Sequence, residues 1–590
     1  MLVYGDRCAV VDAAGALERI RARAERLGRA APGLRRHTGV VELLLEAGEL
    51  TQGLLDAEFE QAGRDGWTPV AEASGRLLRA IGAELCASVA ARFARGGGLR
   101  DTLAALDRLP ALDLPRRVRV RQAEGPSFYA LYPELYALAA REASELRGAV
   151  TVGIRSIGTA LAGVVAAALD GPPPVTVRPI GDPRARSLVL ERRLAKRLRS
   201  AEAYAVVDEG PGLSGSSFAA VARALDAPGR VHFFPSHGAG PGPLSDEPTC
   251  ALWDRTPRHL CELEAAFLDD SRLPALASWA EDLTGPATAR VEDLSAGGWR
   301  SRFPGAGRLP ADPRHERRKY LLRSASGEWL LKFAGLGAPG RAALRRAVRL
   351  SEAGWTPAVA GLRHGFLVQR WEGNARPLPL SSRVPRASMV AQVADYLAFR
   401  AEALSGGTGA SLRELLEMTL RNARLGLGED LADRLRAWEP RIPELERAVR
   451  RCAVDARMHA WEWLVLPCGA LIKSDAVDHC SGHDLIGCQD AAWDLAGAAV
   501  ELSLDAGERD DLLRRFARRA RPPSLPLLEL LHGAYLAFQL GRSALGAAAI
   551  EPWAPGDASR LRDEQRRYAG LLRAALATSG AASGWANASV

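Results

Sequence analysis

Between Ala149 and Ser236 the chain alternates short β-branched runs with alanine-rich stretches: AVTVGI (149–154), a helical stretch over 159–168, PVTVRPI (174–180), YAVVDE (204–209), a helical stretch over 216–225, and RVHFFPS (230–236). Strands separated by helices cannot pair through tight hairpins, because each helix must cross a face of the sheet before the next strand begins. The alternation therefore predicts an α/β unit built on a mostly parallel sheet.

Around it lie segments of different texture. Residues 15–108 carry Leu and Ala at helical spacing between Arg and Glu, predicting a helical lead-in. Two Gly/Pro-rich stretches, 238–248 and 304–313, read as connections. Beyond them RRKYLLRSASGEWLLKFAG predicts two strands around a turn at Ser324–Gly327, with the following LGAPG run as a loop. A basic helix over 342–353, a second strand pair ending FLVQRW and mostly helical sequence to about residue 575 come next. This gives five expected regions: helical 1–115, α/β 116–245, connecting 246–312, sheet and helical lobe 313–575, and a small polar tail 576–590.

The formal charge is +8 from 78 basic and 70 acidic residues, a weak field over 590 residues that does not call for a nucleic-acid partner. Only four of the cations are lysines (Lys196, Lys319, Lys332 and Lys473), so each merits inspection. Eight scattered cysteines without a C-x-x-C pair fit a reducing compartment. The longest apolar run, 157–169, falls short of a spanning helix, so a cytoplasmic location and no membrane partner are expected.

The sharpest local motif is YAVVDEGPGLSGSSF. A buried-type strand delivers Asp208 and Glu209 to its end. Gly210, Gly212 and Gly215 alternate with Ser214, Ser216 and Ser217 before a helix. Glycines let backbone N–H groups converge, hydroxyls add donors and the helix N-terminus adds positive potential, a chemistry suited to a phosphate monoester. The plainer reading is a strand that turns into a serine-capped helix. These residues resemble the PRPP-binding motif of type I phosphoribosyltransferases. Upstream, VTVGIRSIGTALAGVV is similar to that family's pyrophosphate loop, carrying Arg155, Ser156, Gly158 and Thr159. The resemblance implies a phosphoribosyltransferase-type fold, PRPP as substrate with Mg²⁺, and a small-molecule acceptor. It also implies catalytic roles for Asp208, Glu209 and Arg155, an arginine-rich mobile loop over 178–193, and aromatics from FYALYPELY (128–136) at the acceptor. The spacing from Asp208 to Ser214 is one residue longer than that family's.

In the C-terminal region Lys332 sits on the second predicted strand, where it can reach phosphates. The order of a strand lysine, a WEG segment (371–373), a helical lobe, KSDAVDH and GCQDAAWDLAG resembles aminoglycoside-phosphotransferase-type kinases. The resemblance implies ATP bound by Lys332, Mg²⁺ held by Asp475 and Asp478, and a bracing pair Asp490/Asp494. The family's catalytic loop H-x-D-x-x-x-x-N is matched only at His459, with Trp461 and Leu466 at the Asp and Asn positions, so Glu462 or Asp478 would have to substitute. The cluster Asp475, Asp478, His479, Cys480, His483, Asp484 and Cys488 also raises a mixed metal site, although its spacing matches no zinc pattern.

No G-x-S-x-G, G-x-x-x-x-G-K-[ST] or H-E-x-x-H pattern occurs. The expectation is a glycosyltransferase of the phosphoribosyltransferase type fused to an α+β kinase-like domain. The rivals are an ATP-dependent small-molecule phosphotransferase in the C-terminal lobe and a non-catalytic nucleotide or PRPP sensor.

Overall fold

A computed structural model describes residues 1–578. The tail expected over 576–590 therefore lies almost wholly outside the described residues. Among the described residues no helix is long and apolar enough to cross a membrane.

The α/β region forms a four-stranded parallel sheet. Its strands are β1 (Val150–Ile154), β2 (Val175–Val177), β3 (Tyr204–Val207) and β4 (Val231–Phe234), in the order β2-β1-β3-β4. Side chains alternate along β3. Tyr204 and Val206 join Val152, Phe218, Phe233 and Trp253 on one face, while Ala205 and Val207 join the core of the N-terminal helices on the other. The second strand is shorter than its sequence predicts because the Arg178 amide leaves the ladder to donate to Asp65 Oδ2 (2.8 Å).

Helices α1 (Leu34–Ala62) and α2 (Pro69–Ala90) pack on α4 (Gly158–Ala168), which covers one sheet face, and α3 (Pro133–Glu142) lies beside them. Helix α5 (Ser216–Leu225) covers the other face. The α2–α4 crossing is close. A Cβ at Gly82 would stand 2.3 Å from the Gly163 carbonyl oxygen, and one at Gly163 would stand 2.5 Å from that of Leu78.

A second, antiparallel sheet of five strands has the order β8-β9-β7-β6-β5. These are β5 (Glu292–Asp293), β6 (Lys319–Ser324), β7 (Gly327–Phe333), β8 (Val359–Arg363) and β9 (Phe366–Arg370). The predicted hairpin and second strand pair are present. Helix α6 (Ala338–Glu352) starts earlier than expected and absorbs part of the LGAPG run, with Pro339 in its first turn, where a missing N–H costs nothing.

One face of this sheet (Tyr320, Leu322, Leu331, Phe333, Phe366 and Val368) belongs to the same core as the N-terminal helices. The helical lobe follows, with α7 (Arg386–Ala403), α8 (Leu412–Leu427), α9 (Ala492–Glu501), α10 (Leu525–Ile550) and α11 (Pro555–Thr578). A hairpin of β10 (Trp463–Val465) and β11 (Leu471–Lys473) sets Trp463 opposite Lys473.

Gly82→Val and Gly163→Val are expected to lower the denaturant midpoint, each costing about 1–3 kcal/mol through overpacking. Gly533→Ala, where an added Cβ meets nothing within 4 Å, is expected to leave it unchanged or raise it slightly. Chemical denaturation of the three variants tests the contrast.

Candidate functional site

On the α/β side the two sequence motifs do come together. The Gly158 and Glu209 amides donate to the Asp208 carboxylate, and a Cβ at Gly158 would stand 2.2 Å from the Val207 carbonyl oxygen. The Thr159 amide donates to the Ser156 carbonyl (3.2 Å), and the buried Thr159 hydroxyl has no hydrogen-bond partner.

Several of the donors expected to grip a phosphate are engaged elsewhere. Ser214 Oγ and Ser216 Oγ both donate to the Pro183 carbonyl (2.7 Å each), so the arginine-rich segment lies across the turn. The Gly215 amide donates to Pro211, and Gly210 abuts the His237 ring. Gly212 and Gly215 adopt positive φ (58° and 67°), the role glycine plays in tight turns. Ser217 is half-buried in the first turn of α5.

Arg155 is buried, paired with Asp65 and, at 2.9 Å, with Asp56 Oδ1. The space beside it is about 20 Å³, room for a water rather than a pyrophosphate. From the FYALYPELY segment, Tyr132 and Tyr136 are core residues whose hydroxyls donate to the carbonyls of His364 and Asp208.

Burial raises the Asp208 carboxyl to about 7 against the pull of the two amides that donate to it. Burial, together with the charges of Asp208 and Glu124, raises that of Glu209 to about 8. Both carboxyls titrate near 4 in an unfolded chain, so between about pH 4 and 8 the native state holds the extra protons. Stability therefore falls as pH rises through that window. The Asp208→Asn/Glu209→Gln variant is expected to lose less stability between pH 5 and pH 8 and to melt a few degrees higher than the parent at pH 8. Identical pH slopes in the two proteins would remove the assignment.

The large cavity lies elsewhere, between the antiparallel sheet and the helical lobe, with about 200 Å³ of water-accessible space. Strand β7 turns Leu330 and Lys332 toward it, and Lys319, directly opposite Lys332 in the ladder, joins them. The ammonium of Lys332 is paired with Asp475 and, at 3.3 Å, with Asp478 Oδ1. These three predicted residues are thus brought together. Arg317 Nε lies 2.9 Å from Asp478 Oδ2, and His479 Nε2 lies 3.6 Å from Asp475 Oδ2.

Burial alone would lower the Lys332 ammonium, yet the charges of Asp475 and Asp478 outweigh it and raise it. Burial likewise opposes ionisation of Asp475, but Lys332 and then His479 hold its carboxyl well below the usual range. His479 is raised to about 9, burial being overcome by Asp475. Oxygen donors of this kind suit a hard divalent ion such as Mg²⁺.

Part of the cavity wall is aromatic and apolar, formed by Trp299, Phe303, Trp371, Trp461 and Leu464, which pack together. Phe303 and Trp371 have ring centroids 5.8 Å apart. The stretch 298–309 packs Phe303, Ala306 and Leu309 on Leu464 and Ile472 of the β10–β11 hairpin, which makes it a wall of the site. Phe128 and Tyr129 of the α/β side, with Tyr4, close the cavity rim.

Sequence reasoning missed Asp455. Of the pair Asp490/Asp494, the Asp494 carboxylate accepts the amides of Asp455 (2.6 Å) and Ala456 (2.9 Å). The aspartate it steadies is Asp455, and Trp461 instead stacks on His459 with ring centroids 4.6 Å apart. Measured from Asp455, the H-x-D-x-x-x-x-N pattern has Ala453 and Ala460 at its outer positions, so the signal is only a lone Asp after a short apolar run. The Asp455 side chain is fully buried. It accepts the Tyr396 hydroxyl and lies 3.5 Å from Lys473 Nζ and 3.7 Å from His479 Nδ1. Glu462 lines the cavity and pairs with Lys473 at 3.2 Å.

No family model and no curated protein matches the chain. Among solved structures it is similar to the choline kinase LicA from Streptococcus pneumoniae (14% identity, TM-score 0.31, 44% of this chain and 89% of that one). A choline/ethanolamine kinase family protein from Mesorhizobium loti gives 16% identity and TM-score 0.31 over 49% and 94%. An ethanolamine kinase from Plasmodium vivax gives 9% and 0.32 over 57% and 92%.

The C-terminal half of this chain comprises a small antiparallel sheet, a helix, a short linker and a helical lobe. The expected glycosyltransferase of the phosphoribosyltransferase type is corrected on this chain's own geometry. Its pyrophosphate arginine is consumed by Asp56 and Asp65, and its phosphate hydroxyls by Pro183. The parallel sheet stands; a PRPP site is not supported.

Proposed function

We propose that the C-terminal half is an ATP-dependent, kinase-like phosphotransferase acting on a small molecule. The observation that carries the reading is the Lys332 ammonium facing the cavity between the carboxylates of Asp475 and Asp478. A cation so placed can engage nucleotide phosphates, and the two carboxylates can hold Mg²⁺, which when bound would neutralise charge developing on the transferred phosphoryl group. Arg317 and Lys319 add positive potential beside the phosphates. The aromatic wall, with Trp371 on the linker and Leu464 on the hairpin, suits a planar base.

Among the cavity carboxylates Glu462 is the best candidate to orient an acceptor hydroxyl, because Asp455 is sealed among Tyr396, Lys473 and His479. That sealing also favours a second reading, in which the site binds nucleotide and reports occupancy without transfer.

Calorimetry on the full chain with ATP and Mg²⁺ tests the mapping. Lys332→Arg and Asp475→Asn are each expected to weaken ATP at least tenfold, and chelating Mg²⁺ should do the same. Unchanged affinity in both variants would overturn the site. ADP release against a panel of small alcohols and amines then separates transfer from sensing: turnover that falls at least a hundredfold in Glu462→Gln supports the first reading, and tight binding without turnover supports the second.

A further inference from the structure

We propose that His37, Glu134 and His364 form a site for one divalent transition-metal ion of the zinc type, at the seam between the N-terminal helices and the antiparallel sheet. The inference is independent of the cavity described above. His37 lies on α1, Glu134 in the first turn of α3, and His364 in the tight turn between β8 and β9, at a φ of 44°. Three segments far apart in sequence thus deliver one side chain each to a single point.

The donor geometry is convergent. His37 Nε2 lies 2.8 Å and His364 Nε2 lies 2.7 Å from the same oxygen, Glu134 Oε1. One ligand atom from each of the three residues lies within 4.8 Å of the others. Each imidazole is fixed from behind by a hydroxyl at Nδ1, Ser88 Oγ for His37 and Thr38 Oγ1 for His364, both at 2.9 Å. Hydrogen bonding at the second ring nitrogen is how metal-binding histidines are oriented.

The surroundings exclude water. Both His37 and Glu134 are fully buried, with Phe93 stacked on His37 at 3.9 Å and Trp279 edge-on to His364 at 4.9 Å.

A hydrogen-bonded triad leaves this arrangement incomplete, because both rings address Oε1 while the buried Glu134 Oε2 has no partner. A carboxylate oxygen stripped of water and donors is costly. A divalent ion resolves this: two imidazole nitrogens and both carboxylate oxygens supply four donors of the type zinc prefers, and the ion's charge offsets the buried carboxylate. Nitrogen and oxygen donors around such an ion sit roughly 3.3 Å apart, so each imidazole nitrogen has to move by about half an ångström from the Glu134 oxygen. The ion would pin α1 and α3 to the β8–β9 turn.

The test uses the full chain, without an added polyhistidine tag, loaded with Zn²⁺ alone and dialysed. Elemental analysis is expected to find about one equivalent of zinc, lost in Glu134→Gln and in His364→Gln. Ser88→Ala, which leaves the ligands in place, should weaken zinc by about tenfold or more. His259→Ala, in the more exposed Glu145/His232/His259 cluster, should retain it. If the ligand variants do not fold, cobalt decides in the parent protein: visible d–d bands of a four-coordinate nitrogen and oxygen site, without a thiolate charge-transfer band, support the site. Less than a tenth of an equivalent in the parent, or zinc that persists in folded ligand variants, would overturn it.

Discussion

Strand β7 has two faces with opposite obligations, and most of the molecule follows from that. Leu331 and Phe333 must leave water, and they do so against the N-terminal helices. Leu330 and Lys332, one residue out of step, are thereby committed to the opposite side, where the helical lobe supplies Asp475 and Asp478. A one-residue slip would drive the Lys332 ammonium into hydrocarbon and expose Phe333. The apolar face of the sheet thus fixes the orientation of the charged one, and the α/β side, by covering the first, brings Phe128 and Tyr129 to the rim of the second.

The charges below the sheet are arranged at an energetic cost. Lys332, Lys473, Arg400 and His479 are buried together with Asp455 and Asp478, with Asp475 half-buried beside them. Taking such groups from water is repaid only where nearly every charge has an opposite neighbour. Fold stability does not require so dense a network, since apolar residues of similar volume serve a core as well. Perturbed charges gathered around a cavity in this way are one of the features by which functional sites are sought.

Much of the fold was legible in the chain. Short β-type runs alternating with alanine-rich stretches located all four parallel strands, and the hairpin around Ser324–Gly327 lies where its turn residues place it. Lys332 stood out because lysine is so rare here, and Asp475 because it follows a strand. What could not be read were contacts set by tertiary packing. Nothing local in PRARSLVLERR indicates that Pro183 will take up the serine hydroxyls, and nothing near Arg155 indicates that Asp56 and Asp65, about a hundred residues earlier, will neutralise it. Asp455 stayed hidden because its motif partners are alanines, and the stretch 298–309 because Gly/Pro-rich sequence reads as a connection whether or not it packs.

That stretch also has a mechanical consequence. Phe303 is lodged between the linker residue Trp371 and the β10–β11 hairpin, while the neighbouring Arg300 grips both oxygens of Asp557 on α11 at 2.6 and 3.0 Å. The segment therefore touches both sides of the joint between sheet and lobe through two residues only three positions apart. Any separation of sheet and lobe along this segment would have to break or carry with it that bidentate clasp, an ion pair between residues that do not line the cavity.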